Sequence, residues 1–369
     1  MAKRKTLPKD FEEILTKGDL AEMIAVFDTC EIDARGGYSK QTALAFGACP
    51  DALSRWLVEH GASLAAEDNY GETPLHARAG CHGDRISVLL ELGADPNLGG
   101  GARGTPLHSA AKAYNTEAAM ILLANGARAN ALTGEGKTPL ALALERCRNI
   151  DIKHLVKLAE CLLAAMLDES KPPAGWLDRL LQKSKVVSVV TPEMQAQVTR
   201  IGKDFEFSRS RYNAESVDAV SAALERLYKL FDVEPVPRRV MPDGALPISV
   251  KSGNWVQAHQ ELWESLVPPS GAADTAQGEC IRLSGRIHRE LDENGGGNWD
   301  ADFNAMADTF FEIVSSGTPL PETSLVEAQA LVKAAKRKMG NTARLPALAV
   351  EWVALNPTPK PLGKIAYKR

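Results

Sequence analysis

Aromatic residues are scarce in this 369-residue chain: phenylalanine, tryptophan and tyrosine together make up 6% of it. Nothing resembles a platform of stacked rings for single-stranded nucleic acid. No C-x-x-C pair occurs among the six cysteines, at 30, 49, 81, 147, 161 and 280. A structural zinc site needs clustered ligands, so none is expected. No apolar stretch is long enough to span a bilayer, because "LVKLAECLLAAML" is broken by Lys157 and Glu160. No secretory leader is expected, since "TLPKDFEEIL" contains no apolar core segment. Scattered thiols in a chain without a leader predict reduced cysteines and a cytoplasmic location. G-x-S-x-G, H-E-x-x-H and P-loop patterns are all missing, so no catalytic residue and no cofactor are expected. With 43 basic and 47 acidic side chains, the net charge is −4. That balance gives no general attraction to nucleic acid.

What the chain does have is self-similarity. T-[PA]-L occurs with its threonine at 42, 73, 105 and 138, and Gly-Ala pairs begin at 61, 93 and 126. Both series have spacings of 31 to 33 residues. Each unit joins a T-P-L opening, which suits the start of a helix, to a leucine-rich segment closed by glycine. His76 and His108 recur at one repeat position, which favours architecture over metal binding or catalysis.

A period near 33 with these motifs resembles the ankyrin-repeat family. The resemblance implies a solenoid over residues 8–168, about five units counting divergent caps at both ends. It also implies that the recurring histidine bridges the backbones of neighbouring repeats. Ankyrin stacks bind proteins with their hairpin tips and inner helices, so this resemblance implies a protein partner. The tips are "ARGGYSK" (34–40), "EDNYGE" (67–72), "GGGARG" (99–104) and "LTGEGK" (132–137). The expected contact residues on them are Tyr38, Lys40, Asn69, Tyr70, Glu72, Arg103, Glu135 and Lys137. The ends of the inner helices add Arg78, His82, Lys112, Tyr114, Asn115 and Arg146.

Beyond residue 168 the register is lost. "ESKPPAGW" starts a linker expected over 169–191, with a short helix Trp176–Lys183 and one strand candidate, "KVVSVV" (185–190). Helical periodicity then predicts an α-helical domain over 192–356, making the whole chain all-α. The helices expected there are Pro192–Ile201, Ala214–Phe231, Trp255–Leu266, Thr275–Glu293, Ala301–Ser315, Glu322–Met339 and roughly Thr342–Leu355. Residues 275–303 are similar to a helical module of bacterial ankyrin-type proteins, which implies a bacterial source and names no activity.

One face of the 275–293 helix carries Glu279, Arg282, Arg286, Arg289, Glu290 and Glu293. Spacing of four residues allows Arg286–Glu290 and Arg289–Glu293 pairs on a solvated face. A polar pocket around Glu279, Arg282 and Arg286, for catalysis or a small ligand, is the alternative. "DENGGGNWD" (292–300) fails the calcium-loop pattern, because position 12 counted from Asp292 is Phe303. From Lys333 onward there are nine basic residues and one acidic, with a basic tail expected over 357–369. The functional expectation is a non-enzymatic protein-binding protein. A bacterial immunity protein that neutralises a toxin is its more specific form, since an acidic binder would be steered to a basic toxin.

Overall fold

The computed structural model describes residues 2–17, 19–83, 85–99, 102–169, 189–239, 246–250, 252–339 and 341–368. The predicted helix 176–183 and most of the strand candidate 185–190 lie outside the described residues. The chain divides into two compact units, residues 1–205 with 214–236, and residues 206–213 with 237–369.

The first unit opens with strand β1 (Arg4–Thr6) and helices α1 (Phe11–Lys17) and α2 (Leu20–Thr29). Asp19 caps α2, its carboxylate accepting from Ala21 N at 2.8 Å. Phe11 packs edge-on against Phe27 and Phe46, with ring centroids at 6.3 and 5.3 Å. These rings close the apolar end of the repeat stack. Strands β2 (Cys30–Gly36) and β3 (Gln41–Thr42) complete a small sheet, ordered β1-β2-β3. The sheet is a minor addition to an otherwise helical chain, in keeping with the all-α expectation. β1 is fully exposed, so it carries no alternation by which periodicity could find it. Gly36 lets the chain close there, because a Cβ on it would lie 2.9 Å from the Leu7 Cβ.

The repeats follow. Outer helices are α3 (Asp51–Glu59), α5 (Ser87–Glu91), α7 (Thr116–Ala124) and α9 (Ile152–Glu169), and inner helices are α4 (Pro74–Ala79), α6 (Pro106–Lys112) and α8 (Pro139–Arg146). In the T-A-L unit the inner helix shrinks to a 3-10 turn, Ala43–Ala45. The leucines of the four T-x-L motifs, Leu44, Leu75, Leu107 and Leu140, are all buried, and so are the alanines that follow each closing glycine, Ala62, Ala94 and Ala127. Gly61, Gly93 and Gly126 have φ of +93°, +96° and +85°, the left-handed conformation that ends each outer helix without a Cβ penalty.

Helices α10 (Pro192–Ser208) and α11 (Ala214–Phe231) correct the expected boundary at 192. Up to Phe205, α10 belongs to the repeat unit, and Arg200 on it donates to Leu144 O at 3.0 Å and Glu145 O at 3.1 Å. It therefore satisfies carbonyls at the exposed end of α8. α11 runs along α9, where Arg226 pairs with Glu160. Two extra helices thus cap the solenoid and cover the extended apolar α9.

The second unit contains α12 (Trp255–Leu266), α13 (Ala276–His288), α14 (Ala301–Val314), α15 (Glu322–Lys336) and α16 (Arg344–Leu355). α13 is central and packs against α12, α14 and α16. A π-helical turn, Arg289–Glu293, continues it, and Glu290 organises the turn beyond. Its carboxylate accepts from Asn298 N at 2.6 Å and from the side-chain amides of Asn294 and Asn298. "DENGGGNWD" is thus a helix stop built around a buried carboxylate.

The solvated face expected on α13 is also corrected. Glu279 and Arg282 are buried, and the guanidinium donates to both carboxylate oxygens, at 2.6 and 2.8 Å. Ala273 N and the Tyr367 hydroxyl donate to the same carboxylate. The tail from 357 is docked structure: Ala276 N donates to Lys360 O, Leu362 N to Asp274 O, and Lys360 N to Gln277 Oε1. Periodicity did not reveal this, because the tail binds through backbone groups and one buried tyrosine.

Candidate concave binding face

The hairpin tips at 67–72 and 132–137 are built by local hydrogen bonds to their own backbone. Asp68 Oδ1 accepts from Tyr70 N at 2.8 Å and Glu72 N at 3.0 Å, and Gly71 takes φ +76° to close the turn. Thr133 organises a later tip in the same way, its hydroxyl accepting from Glu135 N and Lys137 N, with Gly136 at φ +75°. Asn69 N donates to Ser39 O at 2.9 Å, tying its tip to the preceding one.

Behind the tips stand the two histidines. His76 Nδ1 accepts from Thr73 N at 3.2 Å, so its Nε2 carries the proton and donates to Gly104 O at 3.1 Å. His108 repeats this, accepting from Thr105 N at 3.0 Å and donating to Lys137 O at 3.1 Å. Burial pushes both imidazoles below the usual histidine range, because charging them means desolvating the cation. They bridge the backbones of successive repeats.

The tips bring four predicted residues into one line. The neighbouring Tyr38 phenol raises the Tyr70 phenol above its ordinary pKa. Arg103 lies 4.5 Å from the centre of the Tyr70 ring and donates to Glu72 at 2.7 Å. The next structural feature is a concavity of about 250 Å³. Glu72, Arg103, Lys112, Glu135 and Arg146 line it, together with Ser109 and Leu142. At its edge Lys137 pairs with Glu135 at 3.0 Å and with Glu145 at 2.7 Å. Lys112 and Arg146 are exposed and form no ion pair among the described residues.

Other predicted contact residues are placed differently. Lys40, Asn69 and His82 are exposed, outside the lining of the concavity. Arg78 is corrected: it is 1% exposed, and its guanidinium donates to Leu44 O, Arg85 O and the Ser54 hydroxyl. It cross-links the stack from within. Asn115 is likewise buried; its Oδ1 caps α7 and its amide donates to Ala79 O and Cys81 O. Tyr114 is half-buried, has φ +53°, and donates its hydroxyl to Ala143 O at 3.1 Å. Arg78 lies in the last turn of α4, while Tyr114 and Asn115 follow α6 on its way back to the outer helix, where the chain turns into the stack.

Ala102, Ser109, Thr133 and Leu142 line the concavity without having been expected as contact residues. Ser109 and Leu142 directly follow the T-P-L-x positions, and the repeat register would have found them, since Ala77, Ser109 and Leu142 are equivalent. Neither has the chemical character by which contact residues were chosen.

The family profile described as ankyrin repeats (3 copies) matches residues 87–163. The chain carries ankyrin repeats. It is similar to ankyrin repeat and SOCS box protein 16 of Mus musculus, 35% identical over 125 residues, which is 31% of this chain and 27% of that protein. The Homo sapiens protein of the same name is 36% identical over 158 residues, 38% of this chain and 33% of its own length. Neurogenic locus Notch protein of Drosophila melanogaster is 42% identical over 90 residues, 24% of this chain and 3% of that protein. The chain thus spans a third or less of these relatives. All three are animal proteins, so the bacterial type expected from residues 275–303 draws no support from them. No helix among the described residues is long and apolar enough to cross a membrane.

Proposed function

We propose that this chain is a non-enzymatic protein-binding protein, and that its partner is held on the concave ankyrin face between the tips at 67–72 and 132–137. The observation that carries the reading is the concavity with Arg103, Lys112 and Arg146 on its walls. Tyr70 and Arg103 supply a ring and a fork of the kind that concentrates binding energy. Lys112 and Arg146 supply charge without a carboxylate of their own, so the partner's contact segment is acidic.

Neutralisation of a toxin is the more specific form of this reading. Its support is the net charge of −4, which would steer a basic partner to the chain as a whole. The local charge of the concavity favours an acidic segment instead. A cytoplasmic setting fits the six free cysteines. Of the alternative around Glu279, Arg282 and Arg286, an enzyme or a small-ligand site, the catalytic form loses ground because Glu279 and Arg282 are buried as a pair under Tyr367.

The test is affinity capture from the native cell with the full chain and with the Arg103→Ala/Lys112→Ala/Arg146→Ala variant. The expected result is a protein partner retained by the former and lost from the latter. Equal capture by both chains would overturn the assignment of this face.

A further inference from the structure

The second unit holds a cleft of about 440 Å³, within the range of small-ligand sites. Arg282, Arg286 and Arg289 all line it. Their spacing of four and three residues puts them on one face of the helix, across a rise of about 10 Å. Arg282 is locked by Glu279, Arg286 lies 6.0 Å from the Phe303 ring centre, and Arg289 lies 5.8 Å from that of Trp263 and 3.7 Å from the exposed Glu293 carboxylate. Gly285 makes room for this arrangement, since a Cβ there would meet the Trp263 ring at 2.7 Å. Glu290 is the acid among the described lining residues, and its carboxylate is engaged by the amides of Asn294 and Asn298. Pro268, Pro269, Ser270 and Gly271 also line the cleft.

We propose that this cleft binds the polyphosphate group of a small ligand. A row of planar forks spread over about two helical turns matches two or three linked phosphates better than one. Arginine suits this task because its fork bonds phosphate oxygens in pairs and stays charged throughout the accessible pH range. The rings of Phe303 and Trp263 lie beside the forks of Arg286 and Arg289 and give the cleft an aromatic flank. The site is separate from the concave face and independent of what that face binds.

The experiment is calorimetric titration of the full chain with inorganic pyrophosphate and, separately, with ADP, using sulfate at matched ionic strength as the control. Saturable binding of pyrophosphate is expected, weakened at least about tenfold in Arg286→Ala/Arg289→Ala. The lysine pair, Arg286→Lys/Arg289→Lys, keeps the charge and should bind at an intermediate level. Its thermal transition should match wild type, so a folding defect in the alanine variant does not decide the outcome. Tighter binding of ADP than of pyrophosphate assigns a nucleotide; equal binding assigns the phosphate chain alone. Absence of saturable binding to both probes, binding of sulfate as tight as pyrophosphate, or an unchanged affinity in both double variants would each overturn the proposal.

Discussion

Arg103 stacks its guanidinium 4.5 Å from the centre of the Tyr70 ring while donating to Glu72, so one side chain joins two hairpin tips of the repeat array. The arrangement presents a flat, charged surface with little left to order on binding. Tyr70→Ala and Arg103→Ala are each expected to weaken the partner by roughly tenfold or more. Melting temperatures should barely move, because both side chains are exposed. Calorimetry with the captured partner checks this; wild-type affinity in both variants would remove the tips from the interface.

Leu89→Ala should behave in the opposite way. The side chain is fully buried in the outer row, whereas neighbouring Leu90 and Leu92 are only half-buried. Its loss opens a cavity worth about 2–5 kcal/mol. Denaturant unfolding should register that loss before any binding assay does.

Arg78 is expected to matter for stability and not for binding. Arg78→Met leaves Leu44 O, Arg85 O and the Ser54 hydroxyl without their donors in the interior. Stability should fall by about 3 kcal/mol, given the cost of unmade bonds to a charged group. A chemical melt unchanged from wild type would mean that the site relaxes to admit water.

The histidines give a pH dependence with a defined sign. His76 and His108 are held below the ordinary value by burial, and His259 is pushed to about 4 for the same reason. Below about pH 6.5 the unfolded chain takes up protons that the folded chain refuses, so stability falls as pH falls. His76→Gln and His108→Gln should each cost about 1 kcal/mol near neutral pH, through the lost bridge to the next repeat. Together they should flatten the acid limb without abolishing it, because His259 still titrates. Melts from pH 7.5 to pH 4.5 provide the check, and an unaltered acid limb in the double variant would contradict the linkage.

Tyr367→Phe tests the docked tail. The hydroxyl donates to the buried Glu279 carboxylate, and its removal should destabilise the second unit by about 2 kcal/mol. Deleting residues 357–369 should be worse, since Gln277 and the backbone of Asp274 and Ala276 lose their partners. Amide exchange resolved by unit should show the damage in α12–α16 while the repeats stay protected.

Much of this was legible in the chain because repetition amplifies weak signals. Four T-x-L motifs in register placed the helix starts and the buried leucines, and the resemblance to ankyrin repeats implied the bridging role of His76 and His108. The tip residues were legible too, since a turn that spends its polar groups on its own backbone must turn the others outward. Arg78, Asn115 and Tyr114 were not, because a polar residue at a helix end looks the same whether it faces solvent or reaches back into the stack. Their partners, such as Leu44 O and Ala143 O, lie some 30 residues away in the chain and are chosen by packing.

The second unit shows the same division. Helical periodicity alone determined where α12 to α16 run, since each needs one continuous apolar stripe to be buried. Which charged residues of α13 face water was settled only by the fold. Glu279 and Arg282 enter the interior because the guanidinium, Ala273 N and the Tyr367 hydroxyl satisfy the carboxylate there. Arg286 and Arg289, one and two turns on, line a cleft that Arg282 also reaches. Sequence sets the spacing of charges along a helix; the neighbours that desolvate or pair them come from distant segments, and those neighbours decide what each charge does.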